Sequence, residues 1–271
     1  MITDYPICGN GHGKFGFTVL GSGSQGNATV IHSPDGMLLL DAGFSARELE
    51  RRMALRRIDP HGIRAMLLTH AHSDHICGCR VFADRYEIET YMTGHVCTAL
   101  DKARPKHVTV IEPGREFELC GVLIESFFVP HDVEAVAYTF HCGGHRIGYA
   151  TDLGSVTMQV IARLHGCDAL VLESNYDTRT LVASHRPERV KRRILSRQGH
   201  LSNDSALEAL EQILTPSTKQ VVFAHLSREC NDFDMVAEGL RSTLERMSRT
   251  DVFCEVARQE TPLETLWVGR E

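Results

Sequence analysis

The chain has 271 residues, of which 42% are hydrophobic and 24% are charged, and its formal net charge is −6. These values are typical of a globular protein with a large core. No apolar stretch approaches the length of a membrane span, about 18 residues, and the negative charge disfavours a chain that coats nucleic acid without specificity.

Three further global features bear on compartment and domain organisation. Residues 1–14 lack a basic segment followed by an apolar one, so we predict no secretory signal and a cytoplasmic protein without a membrane partner. Nine scattered cysteines favour reduced thiols, with structural or incidental roles for Cys77 and Cys79. The sequence contains no linker long enough to join separate domains. We therefore predict one domain over residues 1–271, with residues 1–14 as a flexible extension.

The first elements are strands. Residues 15–20, 28–32 and 37–40 are predicted to form a β-meander joined by glycine-rich and Pro-Asp-Gly turns. The glycine-rich loop at 21–27 leads into β-branched residues and lacks Gly-Lys-Ser/Thr, which disfavours dinucleotide or P-loop chemistry. A helix capped by Ser45 is predicted over residues 45–57, and a buried strand follows at 65–68.

A polar cluster, Thr-His-Ala-His-Ser-Asp-His, occupies residues 69–75 directly after that strand and opens a predicted helix that runs to residue 86. Open α/β sheets bind ligands at the carboxyl ends of their strands. A loop here can direct His70 and His72 to one ion, and Asp74 and His75 to another. A loop that needed only turn chemistry would use glycine, asparagine and serine. We therefore interpret the cluster as a metal site.

The second half repeats the order of strands and then helices. Strands are predicted at residues 122–129, 135–140, 146–150, 169–172 and 220–224. Helices are predicted at residues 155–164, 187–195, 202–214 and 234–247. Three polar residues end apolar strands here: His131, Asp152 and His225. With the first cluster they supply five histidines and two aspartates, enough for two ions about 3.5–4 Å apart that share a carboxylate.

These motifs resemble those of the metallo-β-lactamase superfamily, in order and over nearly the whole chain. The resemblance rests on the HxHxDH motif at 70–75, His131, Thr-Asp-Leu-Gly at 151–154 and Ala-His-Leu-Ser at 224–227. Segments 20–24, 40–43, 173–175, 199–203 and 225–227 are most similar to its bacterial YycJ (WalJ) type.

The resemblance implies an α/β fold, a four-layer αββα sandwich, and two divalent ions. By carry-over one ion is held by His70, His72 and His131. The other is held by Asp74, His75 and His225, and Asp152 bridges the two. Zinc, manganese and iron all suit such ligands.

The resemblance also implies nuclease-like activity, because the YycJ type is related to RNase Z and RNase J. Gly199-His200-Leu201-Ser202 resembles the RNase Z motif whose histidine protonates the leaving group, and Glu173 resembles its acidic partner. The structural alternatives are that Ser202 caps a helix and that His200 is an incidental loop residue. We predict Asp74, His200 and Glu173 as catalytic residues of a phosphodiesterase, a 5′-to-3′ exonuclease on DNA or RNA.

A basic run from Arg179 to Arg197 holds seven lysines and arginines and one acid, Glu188. It is either a solvated helix face or a phosphate surface. Under the second interpretation we predict substrate contacts at Lys191, Arg193, Ser202 and Asn203. Two other functions stay open. A thioester or lactone hydrolase would need neither His200 nor the basic run, and a non-catalytic metal-stabilised module would be expected to lack a ligand.

Overall fold

The structure is a computed structural model that describes residues 14–269, so the predicted extension lies outside the described residues except for Lys14. The strands of the first half are β1 (Phe15–Gly21), β2 (Ala28–Ser33), β3 (Gly36–Leu40), β4 (Ile63–Leu67), β5 (Glu89–Thr93) and β6 (Val108–Ile111). Its helices are α1 (Ala46–Leu55), α2 (Ser73–Ile76), α3 (Cys79–Tyr86) and α4 (Gly94–Leu100).

The second half follows the same order of strands and then helices. Its strands are β7 (Glu116–Leu119), β8 (Val122–Val129), β9 (Ala135–Cys142), β10 (His145–Ala150), β11 (Ala169–Glu173), β12 (Gln220–Ala224), β13 (Phe253–Val256) and β14 (Leu266–Val268). Its helices are α5 (Met158–Leu164), α6 (Thr178–Ala183), α7 (Glu188–Ile194), α8 (Asn203–Ile213) and α9 (Phe233–Arg246). No helix within residues 14–269 is both long and apolar enough to cross a membrane.

Two sheets of seven strands form the centre of the molecule, in the orders β14-β1-β2-β3-β4-β5-β6 and β13-β12-β11-β10-β9-β8-β7. Strands β3 to β6 are parallel in the first sheet, and β10 to β13 are parallel in the second. With helices outside both sheets, this is the predicted αββα sandwich. Loops that leave the carboxyl ends of parallel strands share one edge of each sheet.

Three apolar layers hold the sandwich together. The central layer packs side chains of both sheets, such as Phe17, Leu38 and Tyr138, between the sheets. The second layer lies under α5, α8 and α9, and the third lies under α1, α3 and α4. Strands covered on both faces are apolar at nearly every position, which is why continuous apolar runs predict them from the sequence.

The structure differs from the predicted elements in several places, and α6, β13 and β14 are among the elements that the sequence does not predict. Residues 87–121, for which no element is predicted, contain β5, α4, β6 and β7. The helix predicted to run from the polar cluster to Tyr86 is interrupted between α2 and α3, where Gly78 approaches the carbonyl of Phe44 too closely for a side chain. The helix predicted from residue 155 begins at Met158, with Thr157 as its N-cap.

Gly43 provides a test of how tightly the polar cluster is packed. A Cβ at Gly43 would lie 1.7 Å from the carbonyl oxygen of Asp74 and 2.5 Å from the amide nitrogen of Asn27. Because both neighbours are backbone atoms, we expect Gly43→Ala to lower the free energy of unfolding by about 1–3 kcal/mol, the usual effect of overpacking. Urea denaturation measures this.

Gly94→Ala is the matched control, because its Cβ would meet only a Val110 methyl group at 3.9 Å and the residue begins a helix. We expect it to be neutral or slightly stabilising. Equal stability of the two variants would contradict the packing described for Gly43.

Candidate metal centre

All seven predicted metal ligands lie together at the carboxyl edge of the two sheets. One group, here called the histidine subsite, contains His70, His72 and His131. The second, here called the mixed subsite, contains Asp74, His75 and His225. Asp152 forms a further group with His70 and His75, and therefore lies between the two subsites.

Three residues of the centre adopt left-handed backbone conformations immediately after buried strands. Asp41, Asp152 and His225 have φ values of 58°, 60° and 58°. Non-glycine residues in this region are uncommon, although aspartate and histidine tolerate it better than most. The sharp turn ends each strand and is held by hydrogen bonds, such as that from the His225 amide to the Ser22 hydroxyl at 2.9 Å. Three of the eight non-glycine residues with positive φ among residues 14–269 thus belong to the centre, and such residues occur at many functional sites.

Hydrogen bonds fix which nitrogen faces inward in the histidine subsite. His131 donates from Nδ1 to the Gly199 carbonyl at 3.0 Å, and its Nε2 lies 3.3 Å from Nδ1 of His72. The Thr69 hydroxyl donates to Asp41, so it accepts from His70 Nδ1 at 3.0 Å. The unprotonated nitrogens His70 Nε2, His72 Nδ1 and His131 Nε2 are thus able to bind one cation.

The mixed subsite is held by two carboxylates outside the ligand set. His75 donates from Nδ1 to Asp41 at 2.7 Å, and its Nε2 lies 3.1 Å from Asp152. His225 donates from Nδ1 to Glu173 at 2.7 Å, and its Nε2 lies 3.5 Å from Asp74. In both histidines Nδ1 is occupied and Nε2 faces the centre, the arrangement found when a carboxylate orients a metal-binding imidazole.

Three buried polar atoms of the centre make no well-aligned hydrogen bond: His70 Nε2, Asp152 Oδ2, which has only the ion pair with His75 Nε2 at 3.1 Å, and His225 Nε2, which has only Asp74 at 3.5 Å. Leaving a buried polar atom unpaired costs about 1–3 kcal/mol, so three such atoms at one place call for an explanation. Divalent cations bound in the two subsites would pair all of them. The donor set of imidazole and carboxylate suits zinc, manganese or iron. The residues present therefore fit a divalent metal site.

The histidines of the two subsites differ in the direction of their pKa shifts. Burial lowers the pKa of His70, His72 and His131, so these imidazoles are neutral and ready to bind metal. Burial also acts to lower the pKa of His75, but the Asp152 and Asp41 carboxylates raise it to about 10. His225 behaves in the same way, because Asp152, Asp74 and Glu173 outweigh burial and raise its pKa. Protons on His75 and His225 therefore balance the carboxylates when no cation does.

The predicted catalytic pair also lies in contact. Glu173 is fully buried, and its Oε1 lies 2.9 Å from His200 Nδ1. Its Oε2 accepts from the Leu201 and Leu153 amides at 2.9 and 3.2 Å. Burial acts to raise the pKa of Glu173, but His200 and His225 lower it to about 2, so the carboxylate is ionised. His200 keeps 13% of its side chain exposed, between the buried centre and solvent.

The predicted substrate contacts differ in their surroundings. Ser202 caps α8 by accepting from the Ser205 amide, and Asn203 accepts from the Ser174 hydroxyl. These contacts are structural, and substrate contact by either side chain stays a prediction. Lys191 donates to the Val182 carbonyl, whereas Arg193 keeps 59% of its side chain exposed and lies 3.4 Å from Asp132.

A cleft of about 420 Å³ is lined by residues that neighbour the centre along the chain, and it includes Arg197 of the basic run. Its lining comes from the residue before His131, from the loop after Asp152 and from the loop before His200: Pro130, Ser155, Thr157, Ser196, Arg197 and Gln198.

Three residues of the centre have no role predicted from the sequence: Asp41, Asp132 and Asn27. Asp41 directly follows an apolar strand, the same signal that identifies Asp152 and His225. Asn27 ends the glycine-rich loop, and its amide nitrogen lies 3.0 Å from His75 Nε2. No cysteine belongs to a metal-binding group among residues 14–269.

The chain is similar to known proteins across most of its length. A family model described as the β-lactamase superfamily domain matches residues 37–226. Exodeoxyribonuclease YycJ of Bacillus anthracis is 32% identical over 234 residues, which cover 84% of this chain and 89% of that protein. Exodeoxyribonuclease WalJ of Streptococcus pneumoniae serotype 2 is 33% identical over 226 residues, covering 80% and 83%. The metallo-β-lactamase fold protein YhfI from Bacillus subtilis superposes with a TM-score of 0.71 at 18% identity, covering 92% and 99%.

The protonation of His75 and His225 predicts that metal binding releases protons. Both histidines are imidazolium ions at pH 6.5 in the metal-free protein, because their pKa values are raised above that of free histidine, His75 to about 10. A metal-binding nitrogen must be deprotonated, so zinc loading at pH 6.5 should release about two protons from these residues. Calorimetric titration in buffers of different ionisation enthalpy measures the number.

Asp41→Asn removes one of the two carboxylates that raise the pKa of His75, so this variant should release fewer protons than the wild type. A binding enthalpy independent of the buffer in the wild type would show that the two histidines are already neutral.

Proposed function

The chain belongs to the β-lactamase superfamily, as its motifs predicted, and we propose that it is a metal-dependent nuclease, a 5′-to-3′ exonuclease that hydrolyses phosphodiester bonds of DNA. Relatives at 32% and 33% identity, which the chain covers over more than four-fifths of their length, are named exodeoxyribonucleases. RNA is the other substrate that the motifs admit.

The metal-binding roles follow the two subsites. His70, His72 and His131 would hold one divalent ion, and Asp74, His75 and His225 would hold a second. Asp152 would contribute to both, which is supported by its position between the subsites and by its Oδ2, which makes no well-aligned hydrogen bond. When bound, two such ions supply Lewis acidity at the phosphoryl oxygens and lower the pKa of water. Asp74 faces this space with 20% of its side chain exposed.

The observation that carries the phosphodiesterase proposal is the contact between Glu173 and His200 beside the centre. A deoxyribose or ribose alkoxide is a poor leaving group, so it needs a proton. Glu173 accepts from His200 Nδ1, which holds the ring and leaves Nε2 as the atom that delivers the proton. Glu173 stabilises the imidazolium before transfer. Hydrolysis of a thioester or a lactone has no need of this residue pair.

The basic run supplies the surface along which a polynucleotide would lie. Lys191 and Arg193 belong to α7, and Arg197 lines the cleft whose other residues include Pro130 and Gln198, close to His131 and His200 along the chain. Phosphates positioned by these cations would place the scissile bond at the centre, without reading the base sequence. Ser202 and Asn203 lie at the start of the next helix, α8. They would contact the substrate on the side that faces the basic run.

His200→Ala tests the reaction class. We expect it to slow cleavage of DNA by about 10²–10⁴-fold, the usual contribution of general acid catalysis, and to keep the metal content of the wild type. Cleavage of a p-nitrophenyl phosphodiester should change far less, because p-nitrophenolate leaves without protonation. Steady-state rates on both substrates give the comparison.

Two further variants serve as controls for this comparison, one expected to lose all activity and one expected to keep it. Asp152→Ala should abolish turnover of both substrates and lower the metal content, because it removes the carboxylate between the subsites. His165→Ala, which changes an exposed histidine at the end of α5, should leave both rates unchanged. Unchanged DNA cleavage by His200→Ala would favour thioester or lactone hydrolysis instead.

The phosphate surface is tested by replacing Lys191 and Arg197 together with alanine. We expect a higher KM for DNA and a weaker salt dependence, with the slope reduced by about 0.7–0.9 for each phosphate that the variant no longer binds. A small phosphodiester should be cleaved as before, since it reaches only the centre. Kinetics at several salt concentrations measure both quantities.

The matched control replaces Lys102 and Lys106, which precede β6 at the opposite edge of the first sheet. This control removes the same charge and should not change the KM. The proposed surface is wrong if the two double variants behave alike.

A further inference from the structure

Asp132 connects the histidine subsite to the basic run. Its Oδ1 lies 3.3 Å from Nε2 of His72 and 3.3 Å from Nε2 of His131. Its Oδ2 lies 3.4 Å from Nε of Arg193. The carboxylate therefore touches two proposed ligands with one oxygen and a cation of α7 with the other.

The ring orientation of His72 identifies which of these contacts matters. His72 Nδ1 faces His131 Nε2 across the space where a cation would bind. The opposite nitrogen, Nε2, then carries the proton, and the nearest carboxylate oxygen to it is that of Asp132. The other two histidines of the subsite have their outer nitrogens occupied by the Thr69 hydroxyl and the Gly199 carbonyl. Asp132 supplies the equivalent contact for His72.

The solvent exposure of the His72 side chain explains why its ring needs a hydrogen-bond partner. The His72 side chain is 30% exposed, whereas that of His131 is 1% exposed, so packing alone does not hold His72. Asp132 is itself 24% exposed and lies in the loop after β8. Arg193 approaches the far side of its carboxylate from α7 and limits its movement. A histidine ligand held in this way keeps its ring orientation and gains basicity.

We infer that Asp132 is a positioning residue that holds His72 in the histidine subsite, and that Arg193 holds Asp132 in place. This inference rests on the proposed function, since it concerns a metal ligand. It also gives Arg193 a role beyond phosphate contact: its removal affects the centre even in the absence of polynucleotide.

The test is metal affinity, measured by competition with a chromogenic chelator for zinc on the full chain. We expect Asp132→Ala to weaken one of the two ions by about 10–100-fold and to leave the other unchanged. The weakened ion should be the one lost in His72→Ala, not the one lost in His225→Ala. Asp132→Asn should lose less, because its amide oxygen still accepts from His72 Nε2. Arg193→Ala should change the affinity in the same direction by a smaller factor.

Two controls match these variants in charge and location. Glu134→Ala changes an exposed acid in the same loop, and Arg192→Ala changes the neighbouring arginine of α7, which is 79% exposed and pairs with Glu188. Both should bind zinc as the wild type does.

Three results would overturn the inference. Wild-type affinity in Asp132→Ala would mean that His72 needs no partner, while the proposed function would stand because the wild type still takes up two ions. Equal loss in Asp132→Asn and Asp132→Ala would make Asp132 a direct ligand instead of a positioning residue. A wild type that binds no zinc, manganese or iron would overturn the proposed function as well.

Discussion

The centre depends on two buried carboxylates that do not belong to the proposed ligand set, one from each sheet. Asp41 follows β3 and accepts from His75, which lies after the neighbouring parallel strand β4. Glu173 ends β11 and accepts from His225, which follows the neighbouring parallel strand β12. In each half of the molecule, a buried carboxylate thus accepts a hydrogen bond from a histidine that follows the neighbouring parallel strand. An unpaired buried carboxylate would be strongly unfavourable, so each also accepts from backbone amides, those of Thr69 for Asp41 and of Leu201 for Glu173.

Glu173 orients two histidines, because its Oε1 contacts both His225 and His200. The proposed metal ligand and the proposed proton donor therefore share one acceptor. Backbone packing also fixes His200 relative to Asp152: a Cβ on Gly154 would lie 2.3 Å from the Gly199 nitrogen, so the loops after Asp152 and before His200 meet backbone to backbone. Backbone contacts hold geometry more closely than flexible side chains do, and this is what a site needs when small displacements reduce the rate.

The parts predictable from sequence are those that leave a local signal. Strands covered on both faces are continuous apolar runs, and a polar residue at the end of such a run is the signal that selects His131, Asp152 and His225, which the structure brings to one place. The edge strand β7 reads Glu-Phe-Glu-Leu and is half exposed, so its composition resembles a loop and the sequence does not predict it. Asp41 carries the same local signal as the ligands, but the signal alone does not say which histidine it contacts. The contact between Asp132 and Arg193 joins residues about sixty positions apart, and no local pattern predicts where α7 crosses the loop after β8.

The positions of the charged residues near the centre matter more for substrate binding than the net charge of the chain. A net charge of −6 disfavours general attraction to nucleic acid, yet charges separated by more than about 10 Å are largely screened at ordinary ionic strength. What a polynucleotide would meet is the local surface, and beside the centre that surface carries Arg193 and Arg197. Asp132 is the acid among them, and it is engaged with Arg193 and His72. Under the proposed function, the cations beside the centre would therefore hold a phosphate backbone near Glu173 and His200, and this attraction would be local and not a property of the whole acidic chain.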